Sequence, residues 1–282
     1  MYWIKESGTN WLQSFVINIV KRGKLPRHIA FIMDGNRRYA KKNHLARSTG
    51  HLHGFDTLSK ILGWCKALDV KEITIFAFSF ENFKRSQEEV DDLMEISREK
   101  FDLMIKEIDK INEHGICVRF WGELELLPDD IQERFTFIMS ATRDNKRAYL
   151  NVCFAYSSRC EIVGAMNKIK DEVVNTKLKI SDINENLITD YLYSAGSQPP
   201  DLLIRTSGVV RLSDFLLWQS SFTINAFVDV LWPEFSFWDL IGCLLNYQRY
   251  EAQVNQARRT YLSKKILPEK SVTKKLPCQV NN

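Results

Sequence analysis

Six short runs of apolar and β-branched residues, most of them separated by longer stretches with helical spacing, leave this chain few ways to fold. The runs lie at 28–33, 72–79, 116–122, 149–156, 202–206 and about 225–230. Several are apolar along most of their length, which suits strands covered on both faces. The clearest helical stretch puts Val90, Met94, Ser97, Phe101, Met104, Ile108 and Ile111 on one stripe at three-to-four spacing. A β-α-β-α order of this kind predicts an α/β fold, with a central, mostly parallel six-stranded sheet flanked by helices on both faces. At 282 residues the chain is long enough to bury a full core. We expect an N-terminal amphipathic segment over 1–24, a single domain over 25–262 and a basic, disordered tail over 263–282.

Apolar residues make up 45% and charged residues 26%, ordinary for a soluble globular protein. The net charge of +4 is too small for a protein that coats a polyanion, but it is unevenly distributed. Between Lys21 and Gly50 stand nine Lys and Arg and a single acid, Asp34. Residues 81–133 carry sixteen acids against seven bases. The six cysteines form no CxxC pair and no Cys/His cluster with zinc spacing, so free, buried thiols in a reducing compartment are expected. No apolar run approaches the ~20 residues of a spanning helix. The N-terminus lacks the basic start and small-residue cleavage site of a signal peptide.

In parallel sheets, ligands bind beyond the carboxyl ends of the strands. Four polar motifs fall there: MDGNRR at 33–38, SFENFKR at 79–85, IRTSGVVRLS at 204–213 and LWPEF at 231–235. In the first, Asp-Gly-Asn turns the chain after a strand, and a turn that opens a helix presents free backbone N–H groups to an anion. Arg37, Arg38 and Arg47 add charge, and their guanidinium groups repel one another unless an anion sits among them. Asp34 has two readings, a helix cap or the ligand of a cation such as Mg²⁺ that bridges carboxylate and phosphate oxygens. The density of arginines favours the second. His51 either lines the same site or sits satisfied near a helix start. In the third motif Arg205 ends a strand, Ser207-Gly208 turns, and Arg211 and Ser213 follow. Arginines give bidentate phosphate contacts, and a serine hydroxyl adds one more. Two arginine clusters and one acid suggest two phosphorylated ligands and one metal.

MDGNRRYAKK, GH at 50–51, FSFENFKR, DLLIRTSGVVRLSDFLLWQ and LWPEF, in this order, closely resemble the cis-prenyltransferase family over about residues 1–260. The resemblance implies that family's Rossmann-like fold. It also implies Mg²⁺-dependent, repeated condensation of isopentenyl diphosphate onto an allylic diphosphate such as farnesyl diphosphate. The product would be a long-chain Z-polyprenyl diphosphate, the dolichol precursor. By resemblance, Asp34 holds Mg²⁺ on the diphosphates, and Gly35, Asn36, Arg37, Arg38, Arg47 and His51 cradle the allylic diphosphate. Arg205, Arg211 and Ser213, with Arg85, hold isopentenyl diphosphate. Asn82 and Arg85 lie between the two as candidates for positioning and proton transfer. Glu234 either assists the metal or is only a charge at a helix start. A long apolar tunnel would be lined by the helix from about Val90 to Ile111.

Two positions depart from the family pattern: Arg37, where many bacterial members have Gly, and Val209, where an acid is usual. Active members also use an Arg-x-Gly tripeptide near a C-terminus, and none of the twelve glycines here follows an arginine by two residues. The resemblance therefore implies a heteromer. A Nogo-B-receptor-like accessory subunit, anchored at the endoplasmic reticulum membrane, would supply the tripeptide, with this chain peripheral on the cytosolic face. The alternative is a homodimer that uses Arg258 or Arg259 instead.

Asp91-Asp92-Leu93-Met94-Glu95 looks like half of the Asp-rich signature of trans-prenyl synthases. Those enzymes need two such motifs on an all-helical fold. Here Ser86 with Glu89 reads as a capping box, and acids belong in a helix's first turn. Trp11, Leu12, Phe15, Val16, Ile19 and Val20, followed by Lys21, Arg22 and Lys24, make an apolar face with basic edges. That suits either a helix lying in a membrane interface or one docked on its own domain. Readings of other kinds are a non-catalytic phosphate- or nucleic-acid-binding module, or a short-chain cis-prenyl synthase. The bases cluster at strand ends rather than along one face, and no RNA-binding signature occurs, so nucleic acid is not an expected partner.

Overall fold

The computed structural model describes residues 3 and 10–265. Helix α1 (Trp11–Val20) precedes β1 (His28–Ile32), α2 (Asn36–Lys42), α3 (Arg47–Ala67) and β2 (Glu72–Phe76). Then come α4 (Gln87–Lys106), α5 (Ile108–Glu113), β3 (Ile116–Trp121), α6 (Asp129–Thr142) and β4 (Ala148–Cys153). The last elements are α7 (Ser158–Val174), α8 (Glu185–Tyr191), β5 (Leu202–Arg205), β6 (Ile224–Phe227) and α9 (Phe237–Lys265). The strands form one six-stranded sheet in the order β3-β4-β2-β1-β5-β6, and every pairing is parallel. From β1 the chain builds outward on one side through β2, then returns to add β5 and β6 on the other. The reversal falls at β1, so the ends of β1, β2 and β5 flank a crevice.

The strands are mostly apolar because both faces are covered, and the buried polar residues among them are paired: His28 with Thr74, and Asn151 with Glu72 and Thr74. Ile29, Phe31, Ile75, Val152 and Ile204 face one core, shared with α3, α4, α6 and α9, while Ala30, Ile32, Cys153 and Leu203 face a second, with Phe215 and Leu216. The stripe from Val90 to Ile111 is buried as expected, but the helix breaks at Glu107, which has φ −100° and ψ 10°. There the buried Glu107 carboxylate accepts the backbone N–H of Trp3 at 2.9 Å.

Helix α1 does two things at once. A capping box between Asn10 and Gln13 opens it, Ile17 and Val20 pack on the domain, and Trp11, Phe15 and Ile19 point outward at 80%, 58% and 50% exposure. No helix among the described residues is long and apolar enough to cross a membrane. Of the expected tail, the first three residues extend α9 to Lys265, and the rest, with Cys278, lies outside the described residues. The described cysteines are free, and burial pushes the Cys65 and Cys243 thiols up to about 12, which makes them inert.

Candidate active site

Beyond β1 the backbone turns at Gly35, which is the residue before α2 and sits at φ +116°. A Cβ there would lie 3.1 Å from the backbone of Leu231 and Trp232, so both conformation and space call for glycine. Asp34 is therefore not the cap of α2. Its backbone carbonyl is gripped instead, accepting from Trp232 N–H at 3.0 Å and from the Thr206 hydroxyl at 2.6 Å. That leaves the carboxylate to meet two arginines: Oδ2 accepts from Arg205 at 2.9 Å, and Oδ1 lies 3.5 Å from Arg38. Burial alone would raise the Asp34 pKa, but the hydrogen bond and charge of Arg205, with the charge of Arg38, hold it below the usual carboxylate value.

Arg205 is 3% exposed, and its guanidinium also donates to the Ser213 hydroxyl at 2.7 Å and to the Arg211 carbonyl at 2.5 Å. Arg38 donates to both the carbonyl and the hydroxyl of Ser207. The loop after β5 is contorted: Ser207, Ser213, Asp214 and Leu216 all have left-handed backbones, with φ of 77°, 51°, 62° and 48°. It is anchored to the start of α7. Ser158 Oγ accepts the Leu217 N–H at 3.0 Å, Ser157 donates to the Asp214 carboxylate at 2.6 Å, and Gln219 donates to the buried Glu161 at 3.1 Å.

These groups surround a cleft of about 720 Å³ at the carboxyl ends of the strands. It is lined by Asp34, Gly35, Asn36, Arg37, Arg38, His51, Asn82, Arg85, Arg205, Arg211 and Ser213. Its deeper wall is apolar, formed by Phe55, Leu58, Ile75, Leu93, Phe101, Val152 and Phe154. Trp3 also lines it and borders a second cavity of about 90 Å³ among Leu62, Met104, Ile111, Val118 and Leu150. Asn82 is fixed by accepting the Ser79 N–H on Oδ1 at 3.0 Å. His51 belongs with the cleft, and burial, then the charge of Arg85, lowers its pKa to about 4, so its imidazole is neutral at neutral pH.

Two expected residues are not brought in. Glu234 pairs with Lys42 at 2.7 Å, and Arg47 is exposed as the first residue of α3. Neither lines the cleft, nor does Val209. The expected capping box at α4 is half present. Ser86 caps, but the Glu89 carboxylate turns to Arg85 at 2.8 Å and Arg37 at 3.3 Å. Sequence reasoning missed Glu89 because its position was already accounted for by the cap. It missed Ser207 because the turn accounted for it in the same way.

No group of three His, Cys, Asp or Glu side chains converges to hold a metal among the described residues. One ionised carboxylate beside two arginine clusters fits a cation that takes most of its ligands from substrate oxygens, as Mg²⁺ does in phosphate sites.

A doubly wound parallel sheet with arginine-rich loops around one acid, above an apolar cleft, is the framework of an enzyme for amphiphilic diphosphates. The family model for undecaprenyl diphosphate synthases matches residues 32–255, so the chain belongs to that family, the cis-prenyltransferases, and is a prenyltransferase. It is similar to the dehydrodolichyl diphosphate synthase complex subunit of Mus musculus, 48% identical over 261 residues that cover 93% of this chain and 78% of the relative. The corresponding subunit of Schizosaccharomyces pombe is 43% identical over 238 residues, 84% of this chain and 90% of the relative. Among solved structures, lavandulyl diphosphate synthase from Lavandula x intermedia in complex with dimethylallyl diphosphate matches with a TM-score of 0.75 and 33% identity. The match covers 79% of this chain and 95% of that one.

Proposed function

We propose that this chain is the catalytic subunit of a dehydrodolichyl diphosphate synthase. It condenses isopentenyl diphosphate repeatedly onto a farnesyl-like allylic diphosphate and releases a long-chain Z-polyprenyl diphosphate. The observation that carries this reading is the meeting of two arginine clusters at one ionised carboxylate, Asp34, on top of an apolar cleft. A ligand with a doubly charged head and a hydrocarbon tail fits both ends of that cleft.

The barrier lies in separating a negative diphosphate from a carbocation-like allylic fragment. Stabilising the leaving group is therefore the main task. Arg37, Arg38, Asn36 and the backbone at Gly35 cradle the allylic diphosphate, and neutral His51 offers a hydrogen bond without adding charge. Arg205, Arg211 and Ser213, with Arg85, hold isopentenyl diphosphate, whose double bond attacks as the leaving group departs. Asn82 and Arg85 lie between them to position the substrates and to assist loss of the proton that leaves the Z double bond. Mg²⁺, when bound, would supply further charge neutralisation, and Asp34 is the carboxylate that would hold it.

No Arg-x-Gly tripeptide occurs in the 282-residue sequence. This chain works in a heteromer with a Nogo-B-receptor-like subunit that supplies one, at the cytosolic face of the endoplasmic reticulum membrane. The outward apolar residues of α1, chiefly Trp11 and Phe15, support membrane association. Loss of vesicle binding on Trp11→Glu/Phe15→Glu, with unchanged thermal stability, is the expected result, and unchanged vesicle binding would refute that role. The whole reading is tested by assaying the purified chain with Mg²⁺, an allylic starter and isopentenyl diphosphate, alone and with the accessory subunit, and by measuring product length. Long-chain synthesis is expected with the partner and little without it. Robust synthesis by this chain alone overturns the heteromer, and failure of both preparations overturns the activity.

A further inference from the structure

Glu89 reads, in the sequence, as one half of a capping box. In the structure Ser86 Oγ accepts the Glu89 N–H at 3.4 Å, while the Glu89 side chain leaves the cap altogether. Its Oε1 accepts from Arg85 at 2.8 Å and from Arg37 at 3.3 Å, and its Oε2 lies 3.5 Å from the same Arg37 nitrogen. The side chain is 10% exposed and stands behind the cleft, whose lining includes both arginines. One buried carboxylate thus ties together α2, the segment after β2 and the first turn of α4.

An acid beside an anion site weakens the site's pull on anions, so its presence needs another reason. Its partners supply one. Arg37 and Arg85 come from the two different diphosphate cradles of the reading above, and they repel each other. Burial first, and then the charge of Arg37, lower the Arg85 pKa, while Glu89 pulls it back up. Without Glu89 the two guanidinium groups would have no shared partner to fix their spacing. Asp34 does not bridge this pair: its own ion pairs are with Arg205 and Arg38.

We propose that Glu89 is a positioning residue that couples the two diphosphate cradles, holding Arg37 and Arg85 in register through one terminal nitrogen of each and leaving their other N–H groups for substrate. This rests on the proposed function. It gives up some affinity for the diphosphate in exchange for alignment in the transition state.

The test uses the full chain with its accessory subunit and inorganic pyrophosphate as probe. In Glu89→Gln the site gains net positive charge at constant side-chain size. Calorimetric binding of pyrophosphate with Mg²⁺ should tighten roughly fivefold, while kcat falls about 10- to 100-fold. Glu89→Asp keeps the charge with a shorter reach. It should retain wild-type pyrophosphate affinity and recover part of the lost kcat. If Glu89→Gln loses pyrophosphate affinity in step with kcat, the residue is only a structural tie and the proposal fails. If Glu89→Gln does not fold, Glu89→Asp decides alone: unchanged affinity with reduced kcat supports the proposal, and weakened affinity overturns it. A wild-type protein that binds no pyrophosphate overturns the phosphate-site reading itself, which a change confined to the variants does not.

Discussion

Replacing Asp34 by Asn removes one charge and almost no volume, and the structure says the change should be felt on two separate axes. On the stability axis the partner is Arg205, whose side chain is 4% exposed and whose ion pair, among the described residues, is with Asp34 at 2.9 Å. Removing one member of a fully buried pair costs about 3–5 kcal/mol. Here Asp34 is 32% exposed, the asparagine keeps a carbonyl oxygen as acceptor, and Ser213 and the Arg211 carbonyl remain. These compensations bring the cost to about 2 kcal/mol, near the value of one charged hydrogen bond. For a chain of this size that lowers Tm by about 3–4 °C. The sign with pH follows from the depressed Asp34 pKa. The stabilisation is complete above the ordinary value of 3.8 and is lost as pH falls through the lower folded value, so wild type and variant should converge in strong acid. On the activity axis, turnover at a temperature well below both Tm values should fall at least ~100-fold, the scale of one key electrostatic group. Differential scanning fluorimetry across pH and a radiolabelled isopentenyl diphosphate assay read the two axes independently. Near-normal turnover in the folded variant would sink the metal role of Asp34, and an unchanged Tm would sink the ion-pair argument.

Arg205→Ala should chiefly raise KM for isopentenyl diphosphate and Arg38→Ala chiefly that for the allylic substrate, each by the equivalent of about 1.5–3 kcal/mol. Equal effects of both variants on both KM values would contradict the two-cradle assignment. His51 has a folded pKa of about 4 against an ordinary 6.5, so its neutral form is favoured. Its share of stability is intact above pH 6.5 and fades as pH drops toward 4. NMR should find the His51 ring neutral at pH 5.5, and a midpoint near 6.5 would contradict its burial among cations. A methyl added at Gly54 would sit 2.3 Å from Asn36 Oδ1 and 3.0 Å from the Trp232 ring. Gly54→Ala should therefore cost about 1–3 kcal/mol by overpacking, and unaltered thermal unfolding would show that α3 and Trp232 yield more easily than the geometry implies.

The strands were legible because a doubly covered parallel strand is mostly apolar along its length. The expected runs at 28–33 and 202–206 differ from β1 and β5 by a single residue at one end. The run at 72–79 overshoots β2 by three residues, because Ala77 and Phe78 are still apolar but have left the ladder to bond Cys153. The break at Glu107 was not legible, since the stripe of apolar residues continues across it and the Glu107 carboxylate finds its partner in Trp3, more than a hundred residues away. At the site, the arginines and Asp34 stood out through charge density. Glu89, Glu234 and Arg47 did not resolve, because the destination of a long charged side chain at a helix start depends on which neighbours the tertiary fold supplies. Glu89 found two arginines and Glu234 found Lys42.

The left-handed run in the loop after β5 bears on how the protein becomes competent. A non-glycine residue in that conformation is disfavoured by about 1–2 kcal/mol, and four such residues occur between Ser207 and Leu216. A segment like this has no tendency to take its shape in isolation. It is held by tertiary contacts: Arg38 and Arg205 grip Ser207, Arg211 and Ser213, while Ser157, Ser158 and Glu161 at the start of α7 grip Asp214, Leu217 and Gln219. Arg211 and Ser213 are thus among the last parts of the molecule to reach their working positions, and refolded protein should regain its far-ultraviolet spectrum before it regains affinity for isopentenyl diphosphate. A substitution at Glu161, which touches no phosphate site, would then present as a substrate-affinity defect in a protein whose secondary structure is unchanged.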